Sequence, residues 1–257
     1  MNQDERLLYL IEEFLIERPE LANLQIPADT EGRRHVLRAL MNTRNPMELP
    51  DEVEREQDSY LQERIREKGV TKFEDVPYVE DHIKMWRGDI TTLECDAIVN
   101  AANNGMTGCW SPNHYCIDNC IHTFAGVQLR YECAELMIAQ GHPEPVGNAK
   151  VTGAYNLPCK RIVHTVGPQV ESFLTNSEKL QLAASYKACY RAAHKCGLSN
   201  IAFCCVSTGV FGFPNDEASK IAVNTVRELQ AESKNPLDVC FAVFTDLEEE
   251  IYRALLG

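Results

Sequence analysis

Over the first 73 residues, apolar positions recur at helical spacing. Leu7, Leu8, Leu10, Ile11, Phe14 and Leu15 form one apolar stripe, and Pro19 limits that helix. Val36, Leu37 and Leu40 predict a second helix over 33–41. A Glu- and Arg-rich third is predicted over 52–68, with Gly69 as its stop. From about residue 74 the pattern changes to short apolar runs, which predict strands over 83–86, 97–99, 149–154, 161–165, 201–206 and 239–244. Helical periodicity fills the intervals at 117–140, 178–196, 217–233 and 247–255. Short apolar strands separated by helices predict a mostly parallel, buried sheet with helices on both faces. Residues 1–73 then read as a small helical extension and 74–257 as the α/β domain. In such a sheet, ligands sit beyond the carboxyl ends of the strands.

Composition narrows the function classes. The formal net charge is −13, and neither the extension nor the α/β part is basic. General nucleic-acid binding is therefore not expected, because it needs clustered Lys and Arg, whereas one small anion held by loop amides remains compatible. No apolar run is long enough to predict a transmembrane helix. The opening MNQDERLLYLIEEFL has no basic n-region followed by a cleavable apolar stretch, so a cytoplasmic location is expected. All eleven cysteines fall within 95–240. In a reducing compartment they read as thiols, metal ligands or small core residues, not as a disulfide framework.

Three loops after predicted strands are rich in small and polar residues: Asn100-Ala-Ala-Asn103, Gly147-Asn-Ala-Lys150 and Ser207-Thr-Gly-Val-Phe-Gly212. A Gly-rich turn between strand and helix presents backbone N–H groups to an anion, which suits a phosphate or diphosphate. Alone, each is equally an ordinary tight turn. Taken together with their neighbours they are far more specific. Arg87-Gly-Asp-Ile-Thr91, Asp96-Ala-Ile-Val-Asn-Ala-Ala-Asn103, Val151-Thr-Gly-Ala-Tyr-Asn-Leu-Pro158, Ile162-Val-His-Thr-Val-Gly-Pro168 and Ser207-Thr-Gly-Val-Phe-Gly-Phe-Pro214 occur in the order of the macrodomain family, which this chain resembles over about 80–257. The resemblance implies a three-layer α/β/α domain that takes ADP-ribose. It places Asp89 and Ile90 at the adenine, and Asn100 and Asn103 in the loop facing the distal ribose, with Asn103 as a catalytic residue that orients that ribose. Ser207, Thr208, Gly209, Val210, Phe211 and Gly212 would wrap the diphosphate and that ribose.

One stretch departs from the usual pattern. Where hydrolytic macrodomains commonly carry a polyglycine loop, this chain reads Gly108-Cys-Trp-Ser-Pro-Asn-His-Tyr-Cys-Ile-Asp-Asn-Cys-Ile-His122. Cys109, His114 and Cys116 supply three soft or borderline ligands within eight residues, a set that suits Zn²⁺ with a fourth position free for water or substrate. The spacing itself is less diagnostic than paired Cys-x2-Cys motifs. The insertion resembles that of zinc-containing macrodomains encoded beside sirtuin-like ADP-ribosyltransferases, a subgroup that also carries an N-terminal helical extension. That resemblance implies a Zn²⁺-dependent hydrolase removing mono-ADP-ribose from a protein, with a lipoyl-carrier-like protein as its modified partner. Asp118 matches the catalytic aspartate of other hydrolytic members, and acts either as general base or as an orienter of loop or metal. Trp110 either gates the cleft or anchors the loop. Cys120 and His122 are rival ligands, read as core and as a helix residue near the cleft. Cys189, Cys196, Cys204 and Cys205 read as packing residues, and His164 as a hydrogen-bonded core histidine. The competing readings are a non-catalytic ADP-ribose reader with a structural zinc, and a deacetylase of O-acetyl-ADP-ribose.

Overall fold

The computed structural model describes all 257 residues. Three helices open the chain: α1 (Gln3–Ile16), α2 (Thr30–Thr43) and α3 (Asp51–Lys68). Their starts are set by local chemistry. Asn2 and Glu5 form a capping box on α1, Asp29 accepts from the Gly32 amide at the start of α2, and α3 follows Pro50. Gly69, at φ 86°, ends α3. Leu7, Leu10, Ile11, Phe14, Leu37, Leu40 and Leu61 bury their stripes in one small core that also takes in Val127 from the α/β part. Full burial of such a side chain contributes roughly 1.5–3 kcal/mol.

The α/β part runs β1 (Thr71–Lys72), β2 (Tyr78–Glu80), β3 (Ile83–Arg87), β4 (Leu93–Glu94), β5 (Ala97–Ala101), α4 (Ile117–Ala125), α5 (Val127–Gln140), β6 (Ala149–Gly153), β7 (Arg161–Thr165), α6 (Asn176–Lys195), β8 (Asn200–Phe203), α7 (Asn215–Glu232), β9 (Asp238–Val243) and α8 (Asp246–Leu256). Seven strands form one sheet in the order β2-β3-β9-β8-β5-β7-β6, and β1 and β4 make a separate parallel pair. The five inner strands are parallel, and both edge strands are antiparallel to their neighbours. Ile98, Val99, Ile162, Val163, Ile201 and Val239 are fully buried, as expected for strands covered on both faces. The fold is the mostly parallel α/β sandwich expected from the pattern, with the helical part packed alongside.

Five details differ from the sequence reading. The predicted helix over 117–140 is two helices, broken at Gly126. That residue sits at φ 103°, and a Cβ there would lie 2.4 Å from Gln128 Oε1. The gap admits Gln57 of α3, whose Oε1 accepts from the Val127 amide (3.2 Å) and whose Nε2 donates to Gln128 (2.7 Å). The strand predicted to reach 206 ends at Phe203, so Cys204 and Cys205 lie in the loop after it. Cys196 is exposed beyond α6 instead of packed, and Cys120 is half-buried at the cleft instead of in the core. The edge strand β2 had no apolar run to signal it.

Candidate active site

Sheet order reverses around β5, whose neighbours β8 and β7 lead away in opposite directions. A cleft of about 1040 Å³ opens beyond the carboxyl ends of these strands. Such crevices are where open α/β sheets bind ligands. Strand β3 delivers Asp89, β5 delivers Asn103, and the loop after β8 delivers Ser207 to Phe211; Gly212 closes that turn and Asn100 is buried beneath the loop, so neither lines the cleft. The end of β9 adds Phe244 and Thr245, and α2 and α3 close one side.

At one end, Asp89 caps a short 3-10 turn, accepting from the Thr91 amide (3.0 Å) and hydroxyl (2.6 Å). Its other oxygen pairs with Lys68, the last residue of α3, whose ammonium also lies 3.7 Å from the Phe124 ring centre. Burial works against ionisation of Asp89, but the Lys68 charge and the Thr91 bonds outweigh it and hold the carboxyl below its usual range. Ile90 is buried beside it.

In the middle, Ser207 adopts φ 68°, which is uncommon for a residue with a Cβ. Its hydroxyl is buried without a partner. The Gly212 amide donates to Gly209 (3.0 Å) and the Phe213 amide to Ser207 (3.0 Å), which closes the turn. The amides of Gly209, Val210 and Phe211 donate to no protein acceptor. Consecutive free amides in a tight turn form an anion cradle. Thr208 is pinned to the Cys205 carbonyl (3.0 Å), while Val210 stands 73% exposed at the rim.

At the far end, Asn103 and the loop before α4 face each other. Asn103 Nδ2 donates to the Gly108 carbonyl (3.0 Å) and to Asp118 Oδ2 (3.2 Å). Asn100 is fully buried and donates to Asp118 Oδ1 (2.8 Å) and His164 Nδ1 (3.0 Å). His164 completes this chain by donating from Nε2 to Thr152 (2.8 Å). Burial pushes its pKa down to about 3, so it is a neutral core histidine. Burial pushes Asp118 up to about 6, against the hydrogen bonds from both asparagines and the Arg130 charge, which lower it.

Cys109, His114 and Cys116 converge on the cleft, their ligand atoms all within 4.8 Å of one another and Cys109 Sγ 3.4 Å from His114 Nδ1. Tetrahedral zinc would hold such atoms roughly 3.5–3.8 Å apart, so the donor set fits the ion in type and spacing. Cys116 also caps α4, with Sγ accepting from the Asn119 amide (3.4 Å). Burial, with Cys109 beside it, raises its pKa to about 12 in the absence of metal. Cys120 and His122 do not join the cluster. His122 is buried against Gly108, which combines φ 82° with no room for a Cβ, 2.8 Å from the imidazole. His122, Cys133 and His164 also lie close together, but both His164 nitrogens are already bonded and burial raises the Cys133 thiol strongly, so this trio packs as neutral core. Trp110 anchors the loop: its ring stacks on Arg130 (4.2 Å) and its Nε1 donates to Thr107 (3.2 Å).

Sequence reasoning missed the contributions of Arg38, Lys68 and Phe244. Phe244 was within reach, because it ends a predicted strand. Arg38 and Lys68 carried no local signal.

The macro domain family matches residues 99–222. A protein-ADP-ribose hydrolase of Treponema medium is 50% identical over the whole of both chains. One of Staphylococcus aureus (strain MRSA252) is 46% identical over 96% of this chain and 94% of its own. The Trypanosoma brucei macrodomain in complex with ADP-ribose superposes with a TM-score of 0.67 at 30% identity, over 86% of this chain and 95% of that one. The free-amide turn, the carboxyl-end cleft and these full-length likenesses agree: the chain belongs to the macro domain family, as a relative of its protein-ADP-ribose hydrolases.

Proposed function

We propose that this protein is a zinc-dependent protein mono-ADP-ribosyl hydrolase, cleaving the bond between C1″ of the distal ribose and a protein side chain. The observation that carries the reading is the Cys109–His114–Cys116 cluster facing the same cleft as Asn103, in a chain aligned end to end with a protein named protein-ADP-ribose hydrolase. Asp89 keeps a charged acceptor for the adenine amino group, because Lys68 and Thr91 hold it ionised. The free amides of Gly209, Val210 and Phe211 meet the diphosphate, which explains how an acidic chain holds an anion. Asn103, fixed between Gly108 and Asp118, sets the loop that faces the ribose. Asp118 accepts from both asparagines and works here as the orienter of that loop. Cys109, His114 and Cys116 would hold the ion, which supplies Lewis acidity to an oxygen of the substrate or of water. Resemblance to sirtuin-linked macrodomains supports a lipoyl-carrier-like protein, modified by a sirtuin-like transferase, as the partner. Eleven thiols without a disulfide suit a cytoplasmic setting, and no helix is long and apolar enough to cross a membrane.

The test uses Ser-, Asp/Glu- and Arg-linked mono-ADP-ribosyl peptides, each with and without a zinc chelator. Free ADP-ribose should appear from at least one linkage, stop on chelation and return with added zinc. Undiminished release from zinc-free protein would sink the metal role. Tight retention without release would make the protein a reader.

A further inference from the structure

Arg38 stands on α2, outside the α/β layers, yet its guanidinium reaches into the loop that carries the metal-binding side chains. Nη2 is shared among the His114 carbonyl (3.0 Å), Asn119 Oδ1 (2.9 Å) and Cys120 Sγ (3.4 Å), and the group lies over the Tyr115 ring at 4.5 Å. One turn further along α2, Asn42 is buried. Its Oδ1 accepts from the Asn113 amide (3.0 Å) and its Nδ2 donates to Thr123 (2.9 Å). Asn113 sits at φ 56°, so this bond fixes the turn that delivers His114. Asn119, held by Arg38, passes the restraint on. Its Nδ2 donates to the Ser111 carbonyl (3.0 Å) and more weakly to that of Cys109 (3.4 Å), and its amide donates to Cys116 Sγ (3.4 Å). All three metal-binding candidates are thus tied, directly or through Asn119, to one helix of the N-terminal part. Residues 108–116 contain no helix or strand of their own and only one backbone hydrogen bond within the loop, from the His114 amide to Ser111 (3.2 Å), so much of this order comes from outside.

We propose that Arg38 and Asn42 are positioning residues for the metal loop, and that α2 thereby sets how tightly the ion is retained. This rests on the zinc reading above. Outer partners of metal ligands act by fixing ligand orientation, and their loss typically lowers affinity about 10- to 100-fold. Arginine suits the role because its planar guanidinium stacks on the Tyr115 ring while one of its nitrogens is held against three acceptors; lysine has no such plane.

The experiment uses the full chain as wild type, Arg38→Ala, Arg38→Lys, Asn42→Ala and Cys109→Ser. Zinc affinity and release are followed by competition with a chromogenic chelator, and site geometry by the visible absorption of the Co²⁺-substituted protein. Arg38→Ala should bind zinc about 10- to 100-fold more weakly and show altered cobalt bands. Arg38→Lys should restore only part of the affinity. For Asn42→Ala, whose side chain does not line the cleft, ADP-ribose affinity compared between zinc-free proteins should match the wild type. If Arg38→Ala fails to fold, the Lys and Asn42 variants carry the same readouts. Wild-type affinity and cobalt bands in the Arg38 and Asn42 variants would overturn this inference alone. A wild type that takes up no more zinc or cobalt than Cys109→Ser would overturn the metal reading and this one together.

Discussion

Two regions of the cleft hold their shape by different means. Around Ser207 the backbone does the work. A short turn closes on itself through the Gly212 and Phe213 amides and leaves three amides free, with little help from distant side chains. Around Cys109 the side chains do the work. That loop takes its order from Arg38, Asn42, Asn119 and Arg130, three helices' worth of partners. In the proposed reading, the backbone cradle would meet the diphosphate that every ADP-ribose shares, and the side-chain cluster, braced from outside, could be rebuilt to change the chemistry while the cradle stays as it is.

The largest break in this comparison should come from Cys109→Ser or His114→Ala. Turnover of a cleavable ADP-ribosyl peptide should fall about a thousandfold or more, as several kcal/mol of lost charge stabilisation implies. Calorimetric titration with ADP-ribose should show affinity within a few-fold of wild type. A large loss of affinity would mean that the two regions are not separable. Next, Asp89→Ala should weaken ADP-ribose binding by about 10- to 100-fold, the worth of a hydrogen bond to a charged group. Its kcat at saturating substrate should change far less; an equal fall in kcat would place Asp89 in the chemical step. A smaller effect is expected of Gln57→Ala. It orphans the Val127 amide at the helix break and should cost about 1–3 kcal/mol in denaturant unfolding, with activity per folded molecule retained. Smallest is Lys68→Met. Removing one partner of Asp89 should shift ADP-ribose affinity only a few-fold, about 0.5–1.5 kcal/mol, and a null result would show that Thr91 alone suffices to hold the carboxylate.

What was legible in the sequence follows the same division. Strand runs such as 161–165 and the turn at Ser207 declare themselves locally, through apolar burial on both faces and small residues where backbone must approach a ligand. The convergence of Cys109, His114 and Cys116 was legible too, because the three lie within one short loop. The break at Gly126 was not, since a glycine inside an apolar, helix-periodic stretch reads as tolerated until Gln57 is seen occupying the gap. Arg38 was equally silent. On α2 it is one basic residue among several, and its meaning lies in acceptors 76 to 82 positions away. Lys68 reads as an ordinary helix-ending lysine, and only the fold sets it against Asp89.

The shared hydrogen bonds of Arg38 also bear on how such a chain changes over generations. Residues in one network do not contribute independently, so the effect of a substitution at one depends on what stands at the others. A replacement at Arg38 alters which residues are acceptable at Tyr115, Asn119 and Cys120, and Asn42 does the same for Asn113 and Thr123. The helical part and the α/β part are therefore coupled in the substitutions each tolerates. A helical extension lacking Arg38 and Asn42 would bring the wrong partners to the loop, even if Cys109, His114 and Cys116 were all kept.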